Sequence, residues 1–217
     1  MLFESATSWQ ARPRLAKPAT RADFGLPETG ALYFCPQRLA KFHPDFDELL
    51  RAILERDEAG TVVVLSGAQS LAVEMLKSRF ERTIGRSFGQ RILFVPSRSS
   101  VDYLRLLSVM DLVLDMPAYS AALTGYDAFG VGVPVVTKPG RHMVQRYALG
   151  LYRQMGMQEL IASSDAEYVN LAVKLAQEPG FRRQVRREIG QRRDALFEDV
   201  TVVREYESFF ESVVEES

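Results

Sequence analysis

The sequence predicts an α/β fold: a doubly wound, mostly parallel sheet with a helical extension towards the C-terminal end. Three observations predict it. Five short apolar runs follow one another between residues 31 and 137, a stretch of helical composition separates each run from the next, and only helical patterns follow residue 140. Continuous apolar runs favour strands buried on both faces, and strands joined by helices are parallel with right-handed crossovers. The 217 residues are enough for one sizeable core.

The strands are predicted where apolar runs end at turn-forming or polar residues. They lie at 31–36, 61–67, 91–96, 112–115 and 134–137. The helices that separate them are predicted at 44–59, 70–85, 100–110 and 123–132. Ser99 or Ser100 is the predicted cap of the third of these helices.

Four further helical patterns follow the last strand, with Asp165 and Thr201 as predicted caps of two of them. They lie at 141–156, 165–177, 180–195 and 201–216, and the last is amphipathic. Residues 1–23 lack periodicity and are predicted to form an arm or linker, so the domain itself is predicted to span 24–217.

Composition and charge exclude several classes of function. Lys and Arg number 27 against 28 for Asp and Glu, a balance that argues against a general nucleic-acid binder. The single cysteine, Cys35, excludes an internal disulfide and a cysteine-cluster metal site, and it is typical of a reducing compartment. No run approaches the roughly 20 apolar residues of a membrane span, and the first residues lack the apolar core of a signal peptide. We therefore expect a cytoplasmic protein that binds no membrane.

The pattern of residues 112–140 predicts a strand, a loop, a helix and a second strand. Together these elements are suited to hold a phosphate. In such a unit the helix N-terminus, with its free N–H groups and positive dipole end, lies at the carboxyl edge of the sheet. Thr124 adds a hydroxyl at the helix start, and Asp127, about one turn further on, can accept a hydrogen bond from a ribose hydroxyl. The unit therefore predicts a site for a nucleotide diphosphate. A G-x-G-x-x-G motif does not follow the first strand, which argues against a nicotinamide dehydrogenase.

Three segments, 35–54, 114–140 and 146–186, together resemble the bacterial and eukaryotic O-linked N-acetylglucosamine transferases. The resemblance covers about residues 24–212, in the order that the family uses. Those enzymes are GT-B glycosyltransferases with two Rossmann-like halves, and this chain resembles the C-terminal, donor-binding half. The resemblance implies a UDP-sugar donor, with UDP-N-acetylglucosamine the leading candidate. It also implies inverting transfer to Ser or Thr of an acceptor protein, without a metal ion or a cofactor.

The same resemblance implies roles for individual residues. Lys41 matches the lysine that meets the diphosphate, and it is the one catalytic candidate because an ammonium there would stabilise the departing UDP. Gln37 matches a glutamine common in bacterial members, Thr124 the second threonine of the phosphate-binding helix, and Asp127 the acid that holds the ribose. Arg146 matches an arginine that follows the Pro-Gly turn. The donor-binding candidates are Gln37, Lys41, Arg98, Tyr103, Leu123, Thr124, Gly125 and Asp127.

The chain departs from the family pattern at three points. First, Leu123 replaces the first of two threonines. Second, Tyr103 stands where animal relatives have a uracil-stacking histidine, and Ser100 stands in place of a nearby lysine. Third, the half that carries the acceptor-side groups in the family is missing from this sequence. We therefore expect the chain alone to bind a donor but to transfer sugar negligibly, because transfer needs donor and acceptor held together. The alternative is a non-catalytic module, derived from such a transferase, that binds a nucleotide or a partner protein. A sugar-nucleotide epimerase ranks last.

Two further surfaces carry expectations. The arginines at 182–193 precede an acidic stretch, which predicts a solvated helix with internal ion pairs. The aromatic residues of the arm, Phe3 and Trp9, and of the last helix, Phe209 and Phe210, are expected to pack across the domain or to pair two copies. The expected partners are a UDP-sugar and either an acceptor protein or a separate N-terminal half, with a homodimer as a further possibility.

Overall fold

A five-stranded parallel sheet forms the centre of the computed structural model, which describes residues 8–67 and 70–215. Its strands are β1 (Leu32–Cys35), β2 (Thr61–Ser66), β3 (Ile92–Pro96), β4 (Leu112–Leu114) and β5 (Val135–Val136). Their order across the sheet is β3-β2-β1-β4-β5. The chain thus builds outwards from β1 to one edge and then returns to build β4 and β5 on the other side. The predicted doubly wound fold is confirmed.

Helices connect the strands and form the C-terminal extension. They are α1 (Asp45–Arg56), α2 (Ser70–Phe80), α3 (Arg86–Gly89), α4 (Ser100–Ser108), α5 (Leu123–Gly130), α6 (Tyr147–Gln154), α7 (Asp165–Gln177), α8 (Pro179–Arg192) and α9 (Val200–Glu215). A π-helical turn, Glu81–Gly85, joins α2 to α3. Short 3-10 turns lie at Ala22–Phe24, Leu39–Lys41, Met143–Gln145 and Arg193–Leu196.

Three helices, α4, α7 and α9, begin after a side-chain acceptor, and the starts of α7 and α9 differ from prediction. Ser99 caps α4 by accepting a hydrogen bond from the Asp102 N–H. Ser164, and not Asp165, caps α7, because its hydroxyl accepts from the Glu167 N–H. Helix α9 begins at Val200, before the predicted cap Thr201, and the Asp199 carboxylate accepts from the Thr201 N–H at 2.9 Å. An acceptor side chain one or two residues earlier therefore moves each start towards the N-terminus.

The C-terminal arginines are used differently from the prediction of internal ion pairs. Four of them donate to backbone carbonyls at the ends of other helices, where carbonyls lack a partner within their own helix. Arg182 reaches Leu175 and Ala176 at the end of α7, Arg186 reaches Met110 beyond α4, Arg192 reaches Gly156 beyond α6, and Arg193 reaches Gly130 at the end of α5. The extension therefore secures the helices that flank the sheet.

The described part of the arm packs on the domain. The Glu198 N–H donates to the Gln10 carbonyl at 2.9 Å, and Arg21 pairs with the buried carboxylate of Asp111 at 2.7 Å. Trp9 remains about half exposed, and Phe3 lies outside the described residues. Among the helices of the described residues, none has the length and apolar character needed to cross a membrane.

Candidate functional site

The candidate site lies at the carboxyl edge of the sheet, between the ends of β1 and β4. These two strands are neighbours, and the connections that leave them run in opposite directions across the sheet. Such a switch point is where open α/β sheets bind their ligands. Lys41 and Gln37 follow β1, and helix α5 follows β4. The topology therefore brings the two halves of the predicted phosphate site together.

Helix α5 begins with no side-chain cap. Its N-cap position is Ala122, whose methyl group cannot accept a hydrogen bond, and the Ala122 carbonyl already accepts from Gly125 and Tyr126. Leu123 is 61% exposed, and Thr124 is half-buried beside it. The N–H groups of this first turn can donate to an anion at the positive end of the helix dipole.

A buried carboxylate that the sequence analysis missed holds the loop before α5. Asp115 is 1% exposed and accepts hydrogen bonds from Ser120 Oγ at 2.7 Å, Thr137 Oγ1 at 2.6 Å and the Ala121 N–H at 2.5 Å. Burial raises the pKa of Asp115 to about 6, although these donors act in the opposite direction. The signal in the sequence was an acid directly after a buried strand, with small hydroxyl residues nearby.

Gln37 lies beside Asp115 and is almost completely buried. Among the described residues, neither its amide nitrogen nor its oxygen has a partner with hydrogen-bond geometry. The amide is nevertheless near enough to Asp115 to lower the pKa of that carboxyl. A buried amide without partners is costly, and the Gln37 amide can donate to or accept from a polar ligand at this edge.

Lys41 ends the 3-10 turn Leu39–Lys41, and its side chain reaches from the β1 loop towards the β4 loop. Its ammonium lies 3.6 Å from the centroid of the Tyr119 ring, in the loop that precedes α5. A cation over an aromatic face is held by the ring quadrupole. The structure thus places the predicted diphosphate lysine against the loop that carries the start of α5.

Asp127 and Tyr103 face each other between α5 and α4. Burial raises the pKa of Asp127 to about 6. Burial, and then the Asp127 charge, raise the pKa of Tyr103 well above its usual value. The Tyr103 ring packs partly on the core, tilted against Phe34 at 6.5 Å, and its hydroxyl has no hydrogen-bond partner in the described part of the chain. The Asp127 carboxylate and the Tyr103 hydroxyl thus lie near each other, and no direct hydrogen bond joins them.

Three other predicted residues have different surroundings. Arg98 is exposed, and its guanidinium lies 5.2 Å from the ring centroid of Phe24, the last residue of the first 3-10 turn. Gly125 is buried, and a Cβ atom there would lie 2.8 Å from Leu151 Cδ1, so it allows α5 to approach α6. Arg146 donates to the Gly140 carbonyl at 2.8 Å and holds the turn after β5. For Gly125 and Arg146 these contacts are structural.

A cavity of about 650 Å³ opens at the same edge, between the starts of α1 and α7. Its wall includes His43, Asp45 and the ion pair between Lys138 and Asp165, and none of the eight donor-binding candidates lines it. No group of three His, Cys, Asp or Glu side chains suited to a metal ion occurs in residues 8–67 and 70–215.

Comparison with known proteins places this chain in a family. A UDP-N-acetylglucosamine–peptide N-acetylglucosaminyltransferase of Caenorhabditis elegans is 27% identical over 80% of this chain. The probable enzyme SEC of Arabidopsis thaliana is 31% identical over 72% of it. The chain spans only 15% and 16% of the length of these two relatives.

A solved structure and a family sequence model extend this comparison. A mutant of the Thermobaculum terrenum O-GlcNAc transferase superposes on 96% of this chain with a TM-score of 0.76 at 23% identity, over 38% of its own length. This agreement confirms the Rossmann-like fold expected of one half of a GT-B enzyme. The sequence model described as Glycosyl transferase family 41 matches residues 4–207, nearly the whole chain. The chain therefore belongs to glycosyltransferase family 41, and the resemblance to the O-linked N-acetylglucosamine transferases is confirmed.

Proposed function

We propose that this chain binds the diphosphate of a UDP-sugar, with UDP-N-acetylglucosamine the leading candidate, and supplies the donor-binding part of a protein O-glycosyltransferase. The observation that carries the proposal is the meeting of Lys41, the unpartnered amide of Gln37 and the uncapped start of α5 at the switch point. The family and the names of the relatives support the choice of nucleotide and sugar.

The chemistry assigned to the site is electrostatic. As the bond between the sugar and the diphosphate breaks, negative charge grows on the departing UDP. The Lys41 ammonium and the N–H groups of α5 stabilise that charge, and they are already in place before the reaction. Asp127 accepts a hydrogen bond from a ribose hydroxyl, and Thr124 donates to a phosphate oxygen. These groups do without a metal what a divalent cation does in other transferases.

Transfer itself requires more than this chain. The chain covers about 15% of its curated relatives, and an acceptor hydroxyl must be held against the donor for reaction. We expect negligible transfer to a peptide by the chain alone, and transfer when a separately expressed N-terminal half is added. The protein is proposed to act in the cytoplasm, in agreement with its single cysteine.

Calorimetric titration with UDP, UDP-N-acetylglucosamine and GDP tests the proposal. Lys41→Ala should weaken UDP binding by about 1.5–3 kcal/mol, because it removes a charge-assisted contact. Lys77→Ala is a matched control, since the Lys77 ammonium also lies over an aromatic ring, 5.2 Å from the Phe94 centroid. Phe94 belongs to β3, at the opposite edge of the sheet from β5, so this lysine is distant from the candidate site. Equal affinities in wild type and Lys41→Ala, or equal losses in both variants, would contradict the assignment.

A second candidate function is a non-catalytic module that binds the nucleotide only. The exposed Leu123 favours it, because the first residue of α5 offers no hydroxyl to a phosphate. UDP binding with no transfer, even with the N-terminal half present, would support this alternative.

A further inference from the structure

The backbone that carries Lys41 is tied to helix α1 by one arginine. Arg79, in the last turn of α2, donates from Nε and Nη2 to the two carboxylate oxygens of Asp47 at 2.9 and 2.8 Å. Its Nη1 donates to the carbonyl of Phe42, the residue after Lys41, at 2.9 Å. A single guanidinium thus connects α1, α2 and the turn that ends at Lys41.

The carboxylate in this connection is itself fixed. Asp47 is 2% exposed, and its Oδ2 also accepts from Thr83 Oγ1 at 2.8 Å. Thr83 lies in the π-helical turn that joins α2 to α3. A π-helical turn is rare and is found frequently at functional sites. Here the π-helical turn supplies Thr83, whose bond to Asp47 helps to orient the Arg79 guanidinium.

Phe42 is held by its ring as well as by its carbonyl. The ring packs edge-on between Phe46 and Phe80, with centroid distances of 6.0 and 6.1 Å. The Lys41 and Phe42 N–H groups close the 3-10 turn by donating to Arg38 and Leu39. The turn that carries the Lys41 Cα is therefore fixed by its own hydrogen bonds and by the packing of Phe42 against α1 and α2.

A lysine reaches its target through a flexible four-carbon side chain, so a stable geometry at the ammonium depends on a stable backbone beneath it. We propose that Arg79 is a positioning residue for Lys41: through the Asp47 carboxylate it holds the turn from which Lys41 reaches the candidate site. This inference rests on the proposed role of Lys41 in binding a diphosphate. A lysine at position 79 could not span both acceptors, because an ammonium is a point charge and not a planar fork.

The test is a double-mutant cycle for UDP binding with wild type, Arg79→Lys, Lys41→Ala and the double variant. If Arg79 acts through Lys41, Arg79→Lys weakens UDP binding about threefold to tenfold in the wild-type background and has no effect when Lys41 is already alanine. Arg91→Lys is the matched control, because Arg91 clamps the other end of α1 by donating to the Leu54 and Asp57 carbonyls at 2.7 Å. It should lower thermal stability and leave UDP affinity unchanged.

A spectroscopic measurement reports the position of Lys41 directly. The Tyr119 ring current should shift the NMR signals of the Lys41 side chain, which Lys41→Ala identifies by their loss. Arg79→Lys should move these signals towards ordinary lysine positions, and Arg91→Lys should not. If Arg79→Lys does not fold, Asp47→Asn takes its place in both measurements, since it keeps the shape of the side chain and removes its charge.

Three results separate the two proposals. If Lys41→Ala weakens UDP binding but Arg79→Lys does not, only the positioning role of Arg79 is overturned. If Arg79→Lys weakens binding equally in both backgrounds, its effect does not pass through Lys41 and the same role is overturned. If Lys41→Ala itself leaves UDP affinity unchanged, the proposed diphosphate role of Lys41 fails first and the inference about Arg79 falls with it.

Discussion

The buried carboxylate of Asp115 permits a test of the forces that fix the loop before α5. Burial raises the pKa of Asp115 from 3.8 to about 6, while hydrogen bonds from Thr137, Ser120 and Ala121 oppose that rise. An Asp115→Asn variant keeps the size of the side chain and cannot titrate. The difference in unfolding free energy between wild type and this variant therefore isolates the pH dependence of Asp115, because Asp127 titrates in both proteins.

The direction in which the unfolding free energy changes with pH follows from proton linkage. The pKa of Asp115 is higher in the folded protein than in the unfolded chain, so the folded protein binds the proton more tightly. Protonated Asp115 therefore contributes its full stabilisation of the fold below pH 3.8, and this contribution is lost as pH rises to about 6. The difference between these two pKa values corresponds to about 3 kcal/mol. The advantage of wild type over Asp115→Asn should therefore shrink by up to about 3 kcal/mol between pH 3.8 and 6 and stay constant above that.

Urea unfolding of both proteins at intervals from pH 4 to 7.5 measures this difference, since each midpoint and slope gives a free energy. Thr137→Val provides a second test, because it removes the hydroxyl that donates to Asp115 at 2.6 Å with little change of shape. The pKa of Asp115 should rise, so the pH range over which wild type loses its advantage should move to higher pH. An advantage of wild type that stays constant or grows with pH would refute the reasoning. It would mean that the three hydrogen bonds to the carboxylate outweigh the cost of its burial.

Three further outcomes are expected from single substitutions. Leu123→Thr places a hydroxyl at the exposed first residue of α5 and should strengthen UDP binding about tenfold or more by calorimetry, since one hydrogen bond to a charged group contributes about 1.5 kcal/mol or more; unchanged affinity would show that no phosphate lies there. Tyr103→Phe removes a buried hydroxyl without a partner, so thermal unfolding should show a stability equal to wild type or higher by about 1 kcal/mol, and a clear loss would reveal a hidden partner. Gly130→Ala puts a Cβ atom 2.7 Å from the Pro13 ring and should destabilise the fold by about 1–3 kcal/mol, with partial recovery in a Gly130→Ala, Pro13→Ala double variant; equal losses in the single and double variants would show that the arm does not cause the strain.

The strands could be predicted from the sequence because a parallel strand covered on both faces needs apolar residues at every position. Residues 32–35 and 112–114 are buried throughout, and no alternation of polar and apolar residues obscures the pattern. The helix predicted at 70–85 instead contains a π-helical turn and continues to Gly89. Nothing in the local periodicity distinguishes a π turn, since tertiary contacts such as the one between Thr83 and Asp47 select it.

The positions of candidate site residues could be predicted where local sequence determines them, but contacts with residues distant in sequence could not. Thr124 and Asp127 lie on one short helix whose position after a strand is visible in the sequence. The contact between Arg79 and Asp47 joins residues 32 apart, and the one between Thr137 and Asp115 joins residues 22 apart. Such pairs form only when the sheet and its helices assemble. For the same reason, charge patterning predicted ion pairs for arginines that the fold uses to cap distant helices.

Buried acids have hydrogen-bond partners at both edges of the sheet, but two other polar groups at the carboxyl edge do not. At the amino edge, Asp111 accepts from Arg21 and the Leu32 N–H and forms an ion pair with Arg182. At the carboxyl edge, the Gln37 amide and the Tyr103 hydroxyl are buried polar groups that lack a hydrogen bond of good geometry within the described residues. A chain that provides three partners for one buried acid has the means to satisfy an amide and a hydroxyl, and leaving them unpaired costs stability. That cost at the switch point, beside Lys41 and the start of α5, is best explained by a polar ligand that supplies the missing partners.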